Sequence, residues 1–525
     1  MMRIQQLDFG VLRAMRQLTV CGVIATATAL TAAQLTALES APANGTFRVT
    51  LDPLVQAEAY SGRIYLALAP AEGDPPGRGQ TPRERMNSWF GGPQILSMDI
   101  ETALPGAPFA FGTDVQGYPR PYAEIEPGAY WVQAVAKRNI DSPNAGEGAG
   151  DLYSDVLRVE FAPGSDGVVD LMLSNQVVEE PFPETEAVRL VEMVSPSLSA
   201  FYGREIVMRA AVVLPEGWQD DPAANHPTLY FITGFGGNHH HALGLRRMFR
   251  GPVGDRLLLV VPDPTTPLGH SVFADSANTG PRGHALVHEL IPEIEARFHG
   301  ARSGERRFVT GISSGGWSSL WLQITYPDSF AACWSHCPDP VAFEDFQQIN
   351  LYKPGSNMYY DELGGERPLA RRGRQVIALY KDFVQREEVL GPGGQIHAFE
   401  AVFSPRGADG RPVRIFDRRT GAVDLEKVRP WEAYDIRRIL ERNWVVLGPK
   451  LSGKLHIYAG ELDSFYLEGA VVLLGETLRE LGSDAEVTVV PGMGHTNYRL
   501  GVRSMLDEIG RRIGPPPTDS DPGVR

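Results

Sequence analysis

Cysteine is scarce in this 525-residue chain, with only Cys21, Cys333 and Cys337. Cys21 lies in the N-terminal segment, so at most one disulfide, Cys333 to Cys337, is available to the rest. In an oxidising compartment these two could pair, although so short a loop adds little entropic stabilisation; two buried free thiols are the alternative. Positive charge is also short: 49 Lys and Arg face 64 Asp and Glu, for a formal net charge of −15. Nucleic-acid and anionic-membrane binders need a concentrated positive surface, so neither partner is expected. Long apolar runs are restricted to the N-terminus, and no internal repeat is present. Glycine and proline are plentiful, at 56 and 41 residues, and imply many turns and long loops. Hydrophobic content of 43% and charged content of 22% are those of an ordinary globular protein, long enough for more than one core.

Residues 1–43 read as an export signal. Arg3, Arg13 and Arg16 precede an Ala- and Thr-rich apolar run over roughly 18–38, and Ala41-Pro42-Ala43 offers the small-x-small pattern of a cleavage site. The run is about long enough to span a bilayer but only weakly apolar, so cleavage is expected rather than a retained anchor. Leu18-Thr19-Val20 before Cys21 lacks the small residue of a lipoprotein site. The mature protein is then expected in the periplasm or outside the cell, with no membrane insertion.

Residues 44–178 show short alternating segments, at 46–50, 63–68, 130–135 and 168–173, separated by Pro- and Gly-rich loops. They predict an all-β, sandwich-like domain, followed by a linker over 179–194. From 195 to 514 the pattern changes to apolar strands at 207–214, 228–233, 257–262, 307–310, 454–459 and 486–490. Helical stretches at 285–298, 317–326 and 467–481 alternate with them. That alternation predicts an α/β fold, a mostly parallel sheet with helices on both faces. Residues 341–447 break the alternation and read as a cap-like insertion, with a hairpin expected between 401–404 and 414–417. The tail over 515–525 is Pro-rich and expected to be disordered.

The chemistry is concentrated in four places. Gly311-Ile312-Ser313-Ser314-Gly315 follows a strand and opens a helix, the setting of a nucleophile elbow. The turn is sharp enough to require small residues two before and two after the nucleophile, which selects Ser313. A serine needs a base, and Gly494-His495 follows the last predicted strand with glycines around it. The orienting carboxylate is expected after the preceding strand, at Asp463 in Gly460-Glu461-Leu462-Asp463, with Glu461 as substitute. Ser, Asp, His is the chain order of the α/β-hydrolase triad. An oxyanion hole needs two amides: one from Ser314, the other from the loop Gly234-Phe235-Gly236-Gly237, where Phe235 is the expected donor.

These motifs resemble the esterase family that includes esterase D, enterochelin esterase and the antigen 85 mycolyltransferases. The resemblance rests on the Gly234 loop, the Ser313 elbow with Tyr326-Pro327-Asp328-Ser329-Phe330 behind it, Gly460 to Asp463, and Gly494-His495. Ser276 to Gly280 and Glu289 to Pro292 add to it. It covers about 195–510 and leaves the β-rich region outside. It implies an α/β-hydrolase fold and an exported serine esterase, with Gly234, Asn278 and Trp317 as substrate-binding residues and no cofactor or metal. The insertion after Asp339 and the bulk of Trp317 depart from compact members and leave the substrate open, as a small or polymer-linked ester. A peptidase or an acyltransferase would use the same triad, and a non-catalytic binding protein is the reading from another class. His239, His240 and His241, and the pair His284 and His288, are expected to be solvated or core-edge side chains. Ala285 stands where a zinc protease would carry its glutamate.

Overall fold

The computed structural model describes residues 44–112, 114–218 and 225–515. The expected export signal and all but the first residue of the tail lie outside the described residues. All the described residues fall in one compact unit, and among them no helix is long and apolar enough to cross a membrane.

The larger core is built on eight strands: β1 (Val188–Val194), β2 (Val207–Val213), β3 (Thr228–Ile232), β4 (Leu258–Pro262), β5 (Arg307–Ile312), β6 (Ala332–His336), β7 (Leu455–Gly460) and β8 (Glu486–Val490). Their order across the sheet is β1-β2-β4-β3-β5-β6-β7-β8. β2 pairs antiparallel with β1 and β4, and the pairs from β4 through β3 to β8 are all parallel. Strands buried on both faces read as continuous apolar runs, and alternate residues divide between two cores. Ala210, Val212, Tyr230 and Val309 face one; Ala211, Val213, Leu229 and Phe308 face the other. Helices of the described residues include α1 (Ser314–Thr325), α2 (Tyr380–Leu390), α3 (Gln395–Phe403), α4 (Ile436–Leu451), α5 (Glu468–Glu480) and α6 (Arg499–Ile513), beside a helical stretch over 282–297 where one was expected at 285–298. α6 covers the second face with Met505, Ile509 and Ile513, spaced four apart on one stripe. Each such burial contributes about 1.5–3 kcal/mol.

Residues 44–176 supply ten further strands. One group pairs 44–51 with 109–111 and 167–173, another pairs 60–70 with 94–103 and 128–136 with 157–161, and the single pair Asn44 and Phe161 links them. The period-two pattern holds: Phe47, Val49 and Leu51 point to the same core as Ile64, Leu66 and Leu68. The opposite face, with Tyr65, Ala67, Ile95 and Val135, packs on Val389 at the end of α2. Three side chains fasten this contact to the last three carbonyls of α2. Ser97 Oγ donates to Val389 O at 2.8 Å, Tyr65 Oη to Leu390 O at 2.7 Å, and Arg63 Nη1 to Glu388 O at 2.9 Å.

Several sequence expectations change here. Val188–Val194, placed in the linker, is the edge strand β1. The expected hairpin at 401–417 is not formed: residues up to Phe403 belong to α3, which buries Ile396, Phe399 and Phe403 along one side. A short apolar run has no periodicity of its own, and packing chose the helix. A hairpin does occur in this region, at Pro368–Arg372 and Gln375–Leu379. The end of the insertion is α4, which packs against α1 and α5 as an ordinary layer helix. Cys333 and Cys337 are both buried free thiols, so the disulfide is not made.

Candidate active site

Ser313 lies between the last residue of β5 and the first of α1, at φ 61° and ψ −126°. Few non-glycine residues adopt such angles, and the crossing of strand and helix imposes them here. The crossing also explains the flanking glycines. A Cβ on Gly311 would stand 2.2 Å from Gly315 O, and one on Gly315 would stand 2.0 Å from Ile232 O. Ser313 N–H donates to His336 O at 3.0 Å, fixing the elbow against the end of β6. Its hydroxyl donates to Asp339 Oδ1 at 3.4 Å, while Ser314 Oγ donates to Asp339 Oδ2 at 2.5 Å. Asp339 is buried, and the loss of water pushes its carboxyl up to about 6; the Ser314 hydroxyl and the His495 charge act in the opposite direction.

Asp463 and His495 come from the loops after β7 and β8. Asp463 is fully buried, with both oxygens engaged. Oδ1 accepts from Phe465 N–H at 2.8 Å, and Oδ2 bonds His495 Nδ1 at 2.8 Å. Burial opposes charge on His495, but the bond to Asp463, with Cys337 beside it, prevails and holds the imidazole above its ordinary range. Glu461, the substitute acid, is exposed and accepts from Gly492 N–H at 2.8 Å instead of facing the imidazole. Arg371, from the 368–379 hairpin, braces the acid loop. Nε donates to Asp463 O at 2.8 Å, Nη2 to Glu461 O at 3.2 Å, and Nη2 pairs with Glu468 at 2.5 Å.

The loop after β3 completes the cluster. A Cβ on Gly234 would lie 3.2 Å from Ser313 Cβ, so this loop runs directly over the serine. Gly237 N–H donates to Gly234 O at 3.0 Å, leaving Phe235 and Gly236 as the central residues of a tight turn. Gly236 takes φ 77°, which glycine accepts without strain. Ser314 opens α1, where the first amides have no partner within the helix.

The structure thus brings Ser313, Ser314, Gly234 and Phe235 together, and joins Asp463 to His495. It does not bring in Asn278 or Trp317. Asn278 is buried and donates to Ala401 O and Ser404 O at 3.1 and 2.8 Å, anchoring the end of α3. Trp317 is buried in the core, stacked on Trp321 with centroids 5.1 Å apart and against Phe403 at 5.3 Å. The sequence reading does not single out Asp339, or Cys337 beyond a possible disulfide, for the site, although a carboxylate just beyond a strand end, three residues after His336, was a usable signal. Cys337, Asp463 and His495 form the one group of three or more among the described residues whose side chains offer metal-ligand atoms all within 4.8 Å of one another. The His495–Asp463 bond already engages two of these groups with each other. His239 Nδ1 bonds Asp263 at 2.7 Å, and the His284 and His288 rings lie 4.7 Å apart.

Comparison with known proteins bears on one part of the chain. Two curated relatives, Esterase MT1326 and Esterase Rv1288 from Mycobacterium tuberculosis strains CDC 1551 / Oshkosh and ATCC 25618 / H37Rv, are each 28% identical over 163 residues. The alignment takes in 29% of this chain and 34% of each relative, so the chain spans about a third of their length. Among solved structures, a ferulic acid esterase is 12% identical, with a TM-score of 0.40 over 62% of this chain and 98% of its own. An S-formylglutathione hydrolase from Agrobacterium tumefaciens is 16% identical, with a TM-score of 0.38 over 63% and 98%. The family model described as "Putative esterase" matches residues 203–359, which hold the Gly234 loop, Ser313 and Asp339 and end before Asp463 and His495. This segment is similar to the esterase family that the Gly234 and Ser313 motifs resemble.

Proposed function

We propose that the chain is a serine hydrolase that cleaves a carboxylic ester through an acyl-enzyme. One observation carries this reading. A serine held at a strained elbow, under a glycine-rich loop, bonds Asp339, a carboxyl that feels the charge of an imidazole bonded to a fully buried carboxylate. Catalysis starts when the Ser313 side chain turns from Asp339 toward His495, which takes its proton as the oxygen attacks the ester carbonyl. The carbonyl oxygen gains charge and is held by the amides of Ser314 and Phe235. His495, now an imidazolium supported by Asp463, returns the proton to the departing alcohol. Water then attacks the acyl-enzyme by the same route, releasing the acid and restoring Ser313. In this reading the export signal over 1–43 directs the enzyme to the periplasm or beyond, and its substrate is a small or polymer-linked ester.

The test is labelling of the purified protein with a fluorophosphonate, beside Ser313→Ala and His495→Ala. Labelling of the wild type, absent from both variants while their circular dichroism is unchanged, is the expected result. A folded wild type that neither labels nor hydrolyses short acyl esters sinks the proposal.

A further inference from the structure

Trp89 belongs to the β-rich part of the chain, outside the segment that matches the esterase family. Yet its indole stands 5.6 Å from the Phe235 ring, 5.4 Å from Phe383 and 5.4 Å from Phe465. Phe235 lies on the loop over Ser313. Phe465 meets the His495 imidazole edge-on, with centroids 5.0 Å apart and planes at 90°. One side chain therefore joins the loop over Ser313 to the loop that carries Asp463. Its position is well supported. Thr81 and Glu84 form a capping box on the Pro82–Arg85 turn, and Met86 beyond it is buried. Arg386 Nη2 donates to Met86 O at 2.6 Å, and Asn87 Nδ2 to Ala145 O at 2.9 Å.

The open space around the site is divided at this point. A cavity of about 300 Å³ on one side is lined by Trp89, Phe235 and Phe383. Trp89 does not itself line the second space, a cleft of about 410 Å³, but its neighbour Phe465 does, with Phe90 and His495. Ser313 is half-buried and lines neither.

We infer that Trp89 is a specificity-determining residue: it forms the wall between these two spaces and limits the size of the ester group that can lie against Ser313. The inference rests on the proposed esterase activity. A large acyl group has to extend from Ser313 into one of the spaces, and the indole fills the junction. Removing it joins the two spaces, whereas a phenyl ring in its place keeps most of the wall.

The experiment compares kcat/KM for 4-nitrophenyl acetate and 4-nitrophenyl octanoate in wild type, Trp89→Ala and Trp89→Phe, with active sites counted by fluorophosphonate. Trp89→Ala is expected to raise the octanoate-to-acetate ratio by roughly tenfold or more, within the range that pocket volume gives in other enzymes. Trp89→Phe should stay within about threefold of wild type, since most of the ring is retained. An unchanged ratio in labelled Trp89→Ala, or an equal loss on both esters, overturns the inference. If Trp89→Ala does not fold, a Trp89→Phe ratio equal to that of a folded Trp89→Leu overturns it. Failure of the wild type to cleave either ester is a separate result and strikes the proposed function.

Discussion

At the residue scale the decisive relation is between His495 and its carboxylate. Asp463 has no exposed surface and spends one oxygen on the imidazole and the other on its own loop. Asp463→Asn preserves the shape but removes the negative partner and offers the wrong hydrogen-bonding group to Nδ1. A loss of roughly 10³–10⁴-fold in kcat is expected, by the measure of other triads. The same bond sets the pH dependence. Because His495 is held above its ordinary range, the resting imidazole carries a proton that must leave before it can act as a base. The kcat/KM profile should therefore rise with pH through a midpoint above about 6.5, the free imidazole value. In Asp463→Asn the residual activity should show that midpoint moved downward. A wild-type midpoint at or below 6.5 would contradict the assignment.

At the scale of elements, the 368–379 hairpin acts as a brace. Arg371 reaches two backbone carbonyls of the acid loop and Glu468 at the start of α5. This geometry suits a planar fork of donors and cannot be reproduced by a lysine ammonium. Arg371→Ala and Arg371→Lys should both lower kcat by roughly ten- to a hundredfold through loosened positioning, with KM little changed. Stopped-flow turnover beside a melting curve checks this. A fall that follows lost stability alone would reduce Arg371 to a structural residue.

For the whole molecule, stability should depend on buried neutral histidines. His336 lies at the end of β6, its Nδ1 accepting from Tyr498 N–H at 3.1 Å. His270 sits under the Gly234 loop, its Nε2 bonded to Thr233 O at 3.0 Å. Burial lowers each to about 4. The unfolded chain takes up these protons near pH 6.5 and the folded one does not. Their contribution is thus complete above 6.5 and is lost as pH falls toward 4. Asp339, raised to about 6, acts with the opposite sign: folding is favoured below its unfolded value, and that contribution fades as pH rises through 6. His336→Asn keeps an acceptor for Tyr498 and removes one titrating group. Urea unfolding at pH 7, 6 and 5 should show a shallower acid loss in the variant, by up to about 1.4 kcal/mol per pH unit. Equal slopes would refute the buried-neutral assignment.

What was legible in the sequence was what depends on neighbours along the chain. The apolar runs of β2 to β5, β7 and β8 and the glycines two residues either side of Ser313 report local geometry, because a strand's burial and an elbow's crossing leave no choice of residue, whereas β6 was not read from the sequence. The places of Asp463 and His495 after β7 and β8 could be read for the same reason. What required the tertiary structure was every relation between distant segments. Helix or hairpin at 395–403 was settled by the core that receives Phe399 and Phe403. Asn278 and Trp317 became packing residues because α3 closed over them. Asp339 beside Ser313, Arg371 on the acid loop and Trp89 against Phe235 and Phe465 join residues tens to hundreds of positions apart. No local pattern encodes such contacts; they exist only because burial of apolar surface brings the two sheets and the insertion into one compact unit.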